Sequence, residues 1–583
     1  MTFELIDWIV LALFFILSIG IGLRYASSAG KSVSEFFLGG RSLPWWIAGT
    51  SMVATTFAAD TPLLVAGIVS KNGISGNWLW WNMLLGGILT TFFFAKYWRR
   101  SGVLTEVELI ELRYSGKPAA FLRGFKAVYL GLIMNAVIIG WVNKAMINIL
   151  EGFFGISPEL ALFYVAIAMV IVAIYSAISG LMGVAITDVV QFLIAMTGCI
   201  VLAIIVVNSD QIGGITGLKA KLPEWSLSFT PAIGEKSSDS ISTALTIGVG
   251  AFFARIGIQW WASWYPGAEP GGGGYVAQRM MSCKDEKHAV YATLFFQIAH
   301  YCLRPWPWIL VGLCAIVLYP QLGAGEKEMG YVLAMRDFLP AGMRGLLLAA
   351  FFAAYMSTIS TQLNWGASYL VNDLYKRFVK PDGTEKQLVS ASRIVTILLM
   401  AIALVVTTML NTIEGAWGFI IECGAGLGLV LILRWYWWRI NAWSEIAATI
   451  APFFAYAFSV WILKLSFPES FFITVGFTTV AWLAVTFLTK PETDATLKKF
   501  YDKVRPAGVW QPVAERQGDK VDNSNMPGLF ICWVSAVALI YATLFGIGKA
   551  IFLEWANAGI CAAIAVLSLL ILSQAMKRYK ILE

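Results

Sequence analysis

Apolar runs of about 20 residues recur along the whole chain, each long enough to cross roughly 30 Å of hydrocarbon as a helix. Inside lipid every backbone N–H and C=O must be satisfied within its own segment, so helices are the only spans such runs can form. Composition agrees. Of the 583 residues 58% are hydrophobic and only 13% charged, with a mean hydropathy of +0.72, against roughly 25% charged in soluble domains. The pattern predicts an all-α polytopic membrane protein of about fifteen spans, centred near Leu13, Thr55, Leu84, Ile138, Ala168, Ile194, Val249, Leu303, Ala354, Leu399, Gly424, Ile450, Val480, Ala536 and Ile564. The first span follows Glu4 and Asp7, not a basic region, and is too long for a leader core, so it reads as a membrane helix.

Lysines and arginines set the expected orientation. They crowd alternate connections: Lys96, Arg99, Arg100, Arg113, Lys117 and Arg123, then Lys376, Arg377, Lys380 and Lys386, then the stretch from Lys490 to Lys520 and the tail with Lys577, Arg578 and Lys580. The basic side faces the cytoplasm, which puts the N-terminus outside and the C-terminus inside a plasma or inner membrane. This bias also accounts for the net charge of +7, which is a collar at the lipid surface and calls for no nucleic-acid partner. All cysteines but Cys283 lie in spans without paired spacing and the two histidines are isolated, a pattern that argues against a disulfide framework and a zinc site. The longest polar stretches, 209–240 and 490–526, are too short and too polar for a core of their own. The chemistry therefore belongs in the membrane, and the chain shows no feature that demands a protein partner.

The second to sixth spans can be laid over the seventh to eleventh. Five is odd, so two consecutive five-helix units face opposite ways, the topology of an inverted repeat. Each unit opens on an interrupted span. The second carries TTFAADTP, with Asp60 and Pro62 inside an apolar run; the seventh carries Arg255, Gln259 and WWASWYPGAEPGGGG. An interruption at bilayer depth is either a simple proline kink or a broken helix whose freed carbonyls and amides line a cavity.

The ninth span holds the densest polar group, Ser357, Thr358, Ser360 and Thr361, in AAYMSTISTQLN. At about 100° per residue Ser357, Thr358 and Thr361 share one stripe with Ala354, and Ser360 sits at its edge. Hydroxyls in membrane helices commonly donate to a carbonyl one turn back or bridge to a neighbour. The alternative is a small hard cation, which accepts neutral oxygens as well as carboxylates, with main-chain oxygens from the break near Ala54 to Phe57 and hydroxyls from Ser357 and Thr358. Asp188, in VAITDVVQFLIAM, either reaches the interface or is neutralised by a cation shared with Ser357, Ser360 and Thr361.

At these residues the chain resembles the sodium:solute symporter family, which includes bacterial proline, sialic-acid and galactose symporters and animal sodium/glucose transporters. The matching pieces are SEFFLGGRSLPWWIAGTSMVATTFAAD, YSAISGLMGVAITDVVQ, AQRMMSCKDEK and AAYMSTISTQLNWGASYLVNDLYKRF, within roughly residues 5–440. The resemblance implies a leucine-transporter-type 5+5 inverted-repeat fold. One extra N-terminal helix lies at 1–26, the first repeat at 45–208, the second at 241–438, and about four further helices at 441–583 with a cytoplasmic loop at 490–526. It implies sodium as the coupling ion, two ions per cycle; the spans carry no paired nucleophile and base and no HExxH spacing, so no enzymatic chemistry is expected. Carried over by position, one sodium site comprises the carbonyls of Ala54, Phe57 and Ala354 with the hydroxyls of Ser357 and Thr358, and a second comprises Asp188, Ser357, Ser360 and Thr361.

The same resemblance places a pocket for a small polar solute (a carboxylate, an amino acid or a sugar) beside the two breaks. Its expected lining is Thr56, Asp60, Thr61, Gln259, Trp260 and Trp261, with Lys144, His300 and Glu422 as further candidates. Lys144, Arg255, Arg304 and Glu422 are ionisable groups within spans, so each needs a partner or a polar ligand; an internal salt bridge is the competing explanation. The aromatic candidates compete with a packing role. SWYPGAEPGGGGYVAQR is longer and richer in Gly and Pro than its family counterpart, and the family's gating tyrosine has no clear match, Trp261 being the nearest. Two other readings stay open on the same scaffold: a proton-coupled symporter with Asp188 as the proton site, and a channel or transport-inactive sensor.

Overall fold

The computed structural model describes residues 3–233, 246–323, 325–410, 420–421 and 424–582, and of residues 26–29 the backbone alone. Apart from a two-residue parallel pairing of Ala232–Ile233 with Thr246–Ile247 and three isolated bridges, these residues are helices and their connections. The principal helices are α1 (Leu5–Ala29), α2 (Trp45–Thr55), α3 (Asp60–Asn72), α4 (Ile74–Ser101), α5 (Gly116–Phe154), α6 (Pro158–Val207), α7 (residues 249–262), α8 (Gly274–Ser282), α9 (Glu286–Leu318), α10 (Met329–Phe338), α11 (Met343–Val379), α12 (Glu385–Met409), α13 (Leu427–Tyr436), α14 (Ala442–Ile462), α15 (Glu469–Leu488), α16 (Asp494–Val504), α17 (Met526–Ile551) and α18 (Trp555–Arg578).

Among the described residues 11 helices are long and apolar enough to cross a membrane, or 12 when α2 and α3 count as one bent span. The larger number expected from the sequence differs in continuity, not in place. The fifth and sixth expected spans are the two arms of α6, 50 residues in all, joined by a break at Gly180; at about 1.5 Å per residue each arm is long enough to cross the hydrocarbon. The spans expected near Val249 and Gly424 are represented by the short pieces α7 and α13.

α6 begins where its sequence says it should. Ser157 Oγ accepts from Leu160 N at 3.4 Å and Pro158 stands at the first helical position, where its missing N–H is harmless. Its course changes at Gly180, with φ 59° and ψ −168°, a conformation open essentially to glycine alone. The break between α2 and α3 bends the chain by 60°. Thr56 to Ala59 separate the two, and Pro62 sits in the first turn of α3, where a ring without N–H starts a helix but could not continue one. The second interruption follows α7, where Ser263 turns extended and the Pro/Gly-rich stretch leads to α8. It is pinned to the segment before α13, Trp264 N donating to Gly424 O at 3.1 Å and Gly426 N to Ala262 O at 2.9 Å.

α11 is the centre of the molecule. Ninety-four per cent of its span is buried, against 28% for α1 and 17% for α18, which face outward. A helix buried all round and yet carrying hydroxyls satisfies them either on its own carbonyls or from its neighbours, here α2, α5 and α6. Away from the centre, Glu445 of α14 gathers Lys126 of α5, Arg434 of α13 at 3.2 Å and the Tyr114 hydroxyl at 2.8 Å, a buried ionic knot that ties the added C-terminal helices to the first repeat.

Gly180→Ala, which forces a Cβ onto a backbone at φ 59°, is expected to destabilise the protein by ~1–3 kcal/mol. Thermal unfolding of the detergent-purified protein checks this; an unchanged melting temperature would mean that the break relaxes freely.

Candidate ion and solute site

Two polar assemblies meet at the α2–α3 break. The first lies between α2, α6, α8 and α11. Ser51 and Thr55 are four residues apart on α2 and so share a face. Asp188 of α6, fully buried, accepts from Ser51 Oγ at 2.5 Å through Oδ2 and from Ser357 Oγ at 2.7 Å through Oδ1. Thr358 Oγ1 donates to the main-chain oxygen of Thr55 at 2.9 Å, so a hydroxyl of α11 meets a carbonyl at the end of the broken helix. Thr55 Oγ1 donates to Ser51 O at 2.8 Å, which leaves Thr361 Oγ1, 3.0 Å away, as the donor between the two threonines.

Arg279 of α8 closes this assembly. Its guanidinium, with no exposed surface, donates through Nε to Ser51 Oγ at 3.1 Å and through its terminal nitrogens to Gln278 Oε1 at 2.9 Å and Thr361 Oγ1 at 2.7 Å, and lies 3.7 Å from Asp188 Oδ2. Gln278 is held in turn by Asn364 Oδ1 and Phe37 O. Asp188 therefore does not snorkel to water: it is neutralised inside the protein by a fixed cation and two hydroxyls. Ser360 follows the commoner habit of membrane hydroxyls, donating to Ser357 O at 3.1 Å, and its own carbonyl accepts from Ser176 Oγ at 3.2 Å.

The second assembly is a cavity of about 120 Å³ on the other side of the break. Thr56, Asp60, Thr61 and His300, all expected there, line it together with Thr55 and Thr358, whose hydrogen bond thus separates the cavity from the Asp188 cluster. Tyr265, Tyr275, Trp80, Trp141, Gln362 and Arg304 add to the polar and aromatic lining. Ala54 of α2, Phe57 in the break and Ala354 of α11 are buried, the Phe57 ring packing against Trp308 and Phe192.

Four candidates stand elsewhere. Lys144 is half-buried on α5 and does not line the cavity, although Trp141 and Val142 of the same helix do. Gln259 is buried with its Nε2 unpartnered; Trp260 Nε1 donates to Ile256 O at 2.9 Å with its ring beside Trp533, and Trp261 Nε1 donates to Gly257 O at 2.7 Å, so both indoles are satisfied on their own helix. Glu422 lies outside the described residues. Several residues of the site, Ser51, Thr55, Tyr275 and Gln362 among them, were not expected in it, and two stand out. Arg279 belongs to the AQRMMSCKDEK run, and Tyr265 follows the second break where the sequence pointed to Trp261.

Removing the guanidinium leaves Asp188 buried without a counter-charge, a loss of about 3–5 kcal/mol. Arg279→Gln is therefore expected to lower the melting temperature more than the double variant Arg279→Gln/Asp188→Asn, in which no lone charge remains. Equal loss in both would show that the pair does not couple.

The arrangement has known counterparts. The model of the sodium:solute symporter family matches residues 36–451. A sodium/glucose cotransporter of Vibrio parahaemolyticus is 26% identical over 499 residues, covering 82% of this chain and 89% of that protein. An osmoregulated proline transporter of Bacillus subtilis is 24% identical over 461 residues, covering 77% and 87%. Among solved structures, a Na⁺-coupled sialic acid symporter in its substrate-bound outward-open state superposes with a TM-score of 0.67 at 20% identity, over 84% of this chain and 100% of that one. The fold is therefore of the leucine-transporter type, the molecule is a transporter and not an enzyme, and the chain belongs to the sodium:solute symporter family.

Proposed function

We propose that this protein is a sodium-coupled symporter that carries a small polar organic solute into the cell by alternating access, two sodium ions moving with it. The observation that carries the reading is the 2.9 Å contact between Thr358 Oγ1 and the main-chain oxygen of Thr55. It puts a hydroxyl-bearing helix against a main-chain oxygen that the break releases from its helical amide, the kind of oxygen-rich contact that suits a dehydrated alkali ion. The first ion binds among the carbonyls of Ala54, Phe57 and Ala354 and the hydroxyls of Ser357 and Thr358. The second binds at Asp188 with Ser357, Ser360 and Thr361. Because Arg279 already shares Asp188 and Thr361, this second ion meets a like charge and binds the more weakly of the two. Residues 45–208 and 241–438 are the halves that move against each other. The protein sits in the plasma or inner membrane with its N-terminus outside, so that at ~100 mV each inward sodium charge contributes about 2.3 kcal/mol.

Sodium-dependent thermal stabilisation of the purified protein tests this without knowledge of the solute. Sodium chloride, but not potassium or choline chloride, raises the melting temperature. Ser357→Ala/Thr358→Ala raises the half-saturating sodium concentration about tenfold or more, a loss of at least ~1.4 kcal/mol of binding, and Asp188→Ala reduces the steepness of the sodium titration from two ions toward one. Sodium curves unchanged in both variants reject the sites, and a stabilisation that follows pH and ignores sodium favours coupling to protons.

A further inference from the structure

The cavity beside the α2–α3 break is lined by two groups of opposite sign, Arg304 and Asp60, that feel each other's field without forming an ion pair within 4.0 Å. Arg304 is 2% exposed. One terminal nitrogen donates to Thr56 Oγ1 at 3.0 Å and the other faces His300 Nε2 at 3.1 Å, while the guanidinium carbon lies 5.3 Å from the centre of the Trp308 ring. Its Nε is buried without a partner. A guanidinium has no acceptor, so His300 must accept through Nε2 and carry its proton on Nδ1, which donates to Thr56 Oγ1 at 3.1 Å. Thr56 passes its own proton to Met52 O or Val53 O. Every direct partner of Arg304 is thus neutral, and no described carboxylate lies within 4.0 Å of it.

Asp60 is the complement. It stands at the first residue of α3, where the positive end of the helix dipole favours a carboxylate. It is 4% exposed, Oδ1 is buried with no hydrogen-bond partner, and no described cation is within 4.0 Å. At bilayer depth an uncompensated charge is expensive and marks a ligand path. A neutral sugar would leave both charges unmet. A simple carboxylate would satisfy Arg304 and crowd Asp60, and a simple amine would do the reverse.

We infer that the solute is a small zwitterion, an amino acid whose carboxylate pairs with Arg304 and whose ammonium pairs with Asp60. This rests on the symporter reading above and names its cargo. Trp80, Trp141 and Tyr265 supply aromatic faces that suit an ammonium and the apolar part of the molecule. The competing arrangement, in which Arg304 and Asp60 close on each other in another state of the cycle, leaves a site for an uncharged solute.

The test is a panel on the purified full-length protein in sodium chloride and in choline chloride: the 20 standard L-amino acids and glycine betaine, then acetate, lactate and pyruvate, then glucose, galactose and mannose. At least one zwitterion is expected to add a few °C to the sodium shift, and no member of the other two sets to do so. Arg304→Gln and Asp60→Asn each abolish that addition while sodium alone still stabilises, and Arg304→Lys restores part of it. A sugar or simple carboxylate that shifts the protein in place of any zwitterion overturns the inference. So does a zwitterion shift that survives both substitutions, or a panel with no additive member while sodium alone stabilises. Loss of the sodium shift itself in the unmodified protein would instead reject the symporter reading.

Discussion

The arrangement depends on a buried carboxylate and the groups that make its burial tolerable. An isolated Asp188 in the membrane interior would cost several kcal/mol. Two hydroxyls and the guanidinium of Arg279 offset that cost, and each is delivered by a different helix: Ser51 by α2, Ser357 by α11 and Arg279 by α8. The demand of one charge therefore fixes four helices with respect to one another. Because α2 and α6 precede α7 in the chain and α8 and α11 follow it, the cluster is also a seam between distant segments, with strength set by electrostatics and not by apolar contact, which lipid would supply equally well.

Such a seam is suited to switching. Hydroxyl-to-carboxylate bonds are short-range and can be exchanged for an ion's coordination without leaving an atom unsatisfied, whereas an interdigitated apolar interface has no such substitute partner. Arg279 sets a limit to this freedom. It is a charge that cannot leave, and any cation that approaches Asp188 must either share the carboxylate with it or move it aside. The expected site was made only of oxygens; in the structure the guanidinium of Arg279 is part of its electrostatic balance.

What the sequence made legible follows from how local each signal is. Span positions were readable because twenty consecutive apolar residues need no tertiary information. Ser357 and Thr358 were readable because a packing contact does not call for four hydroxyls in AAYMSTISTQLN, and the structure sets both against the groups expected, Asp188 and the end of α2. Ser360 looked the same in sequence but bonds its own helix, a difference of one residue in helical phase. Arg279 was unreadable as a partner of Asp188 because it lies 91 positions further along the chain and nothing in either segment states the register in which α8 crosses α6. The aromatic candidates failed to reach the cavity for a related reason. Trp260 and Trp261 precede the break and remain on helical turns that satisfy their N–H groups, whereas Tyr265 follows it, where the chain no longer has a helix to lie on.

The break itself joins the two assemblies across a single peptide bond. Thr55 O takes the proton of Thr358 on the side of the Asp188 cluster, and Thr56 Oγ1 takes a proton from Arg304 on the side of the cavity. In a regular helix the carbonyl of residue 55 would be committed to an amide four residues on; here the chain has turned by 60° and that carbonyl is free for a side chain. An ion that draws on the carbonyls of this turn must reorient the adjoining peptide planes, and with them the threonine that holds Arg304. A solute that pulls on Arg304 acts on the same turn from the other direction. Coupling between sites is reciprocal by thermodynamic necessity, and a shared turn gives that reciprocity a short physical route: neither ligand can settle its own donors without setting the geometry of the other's.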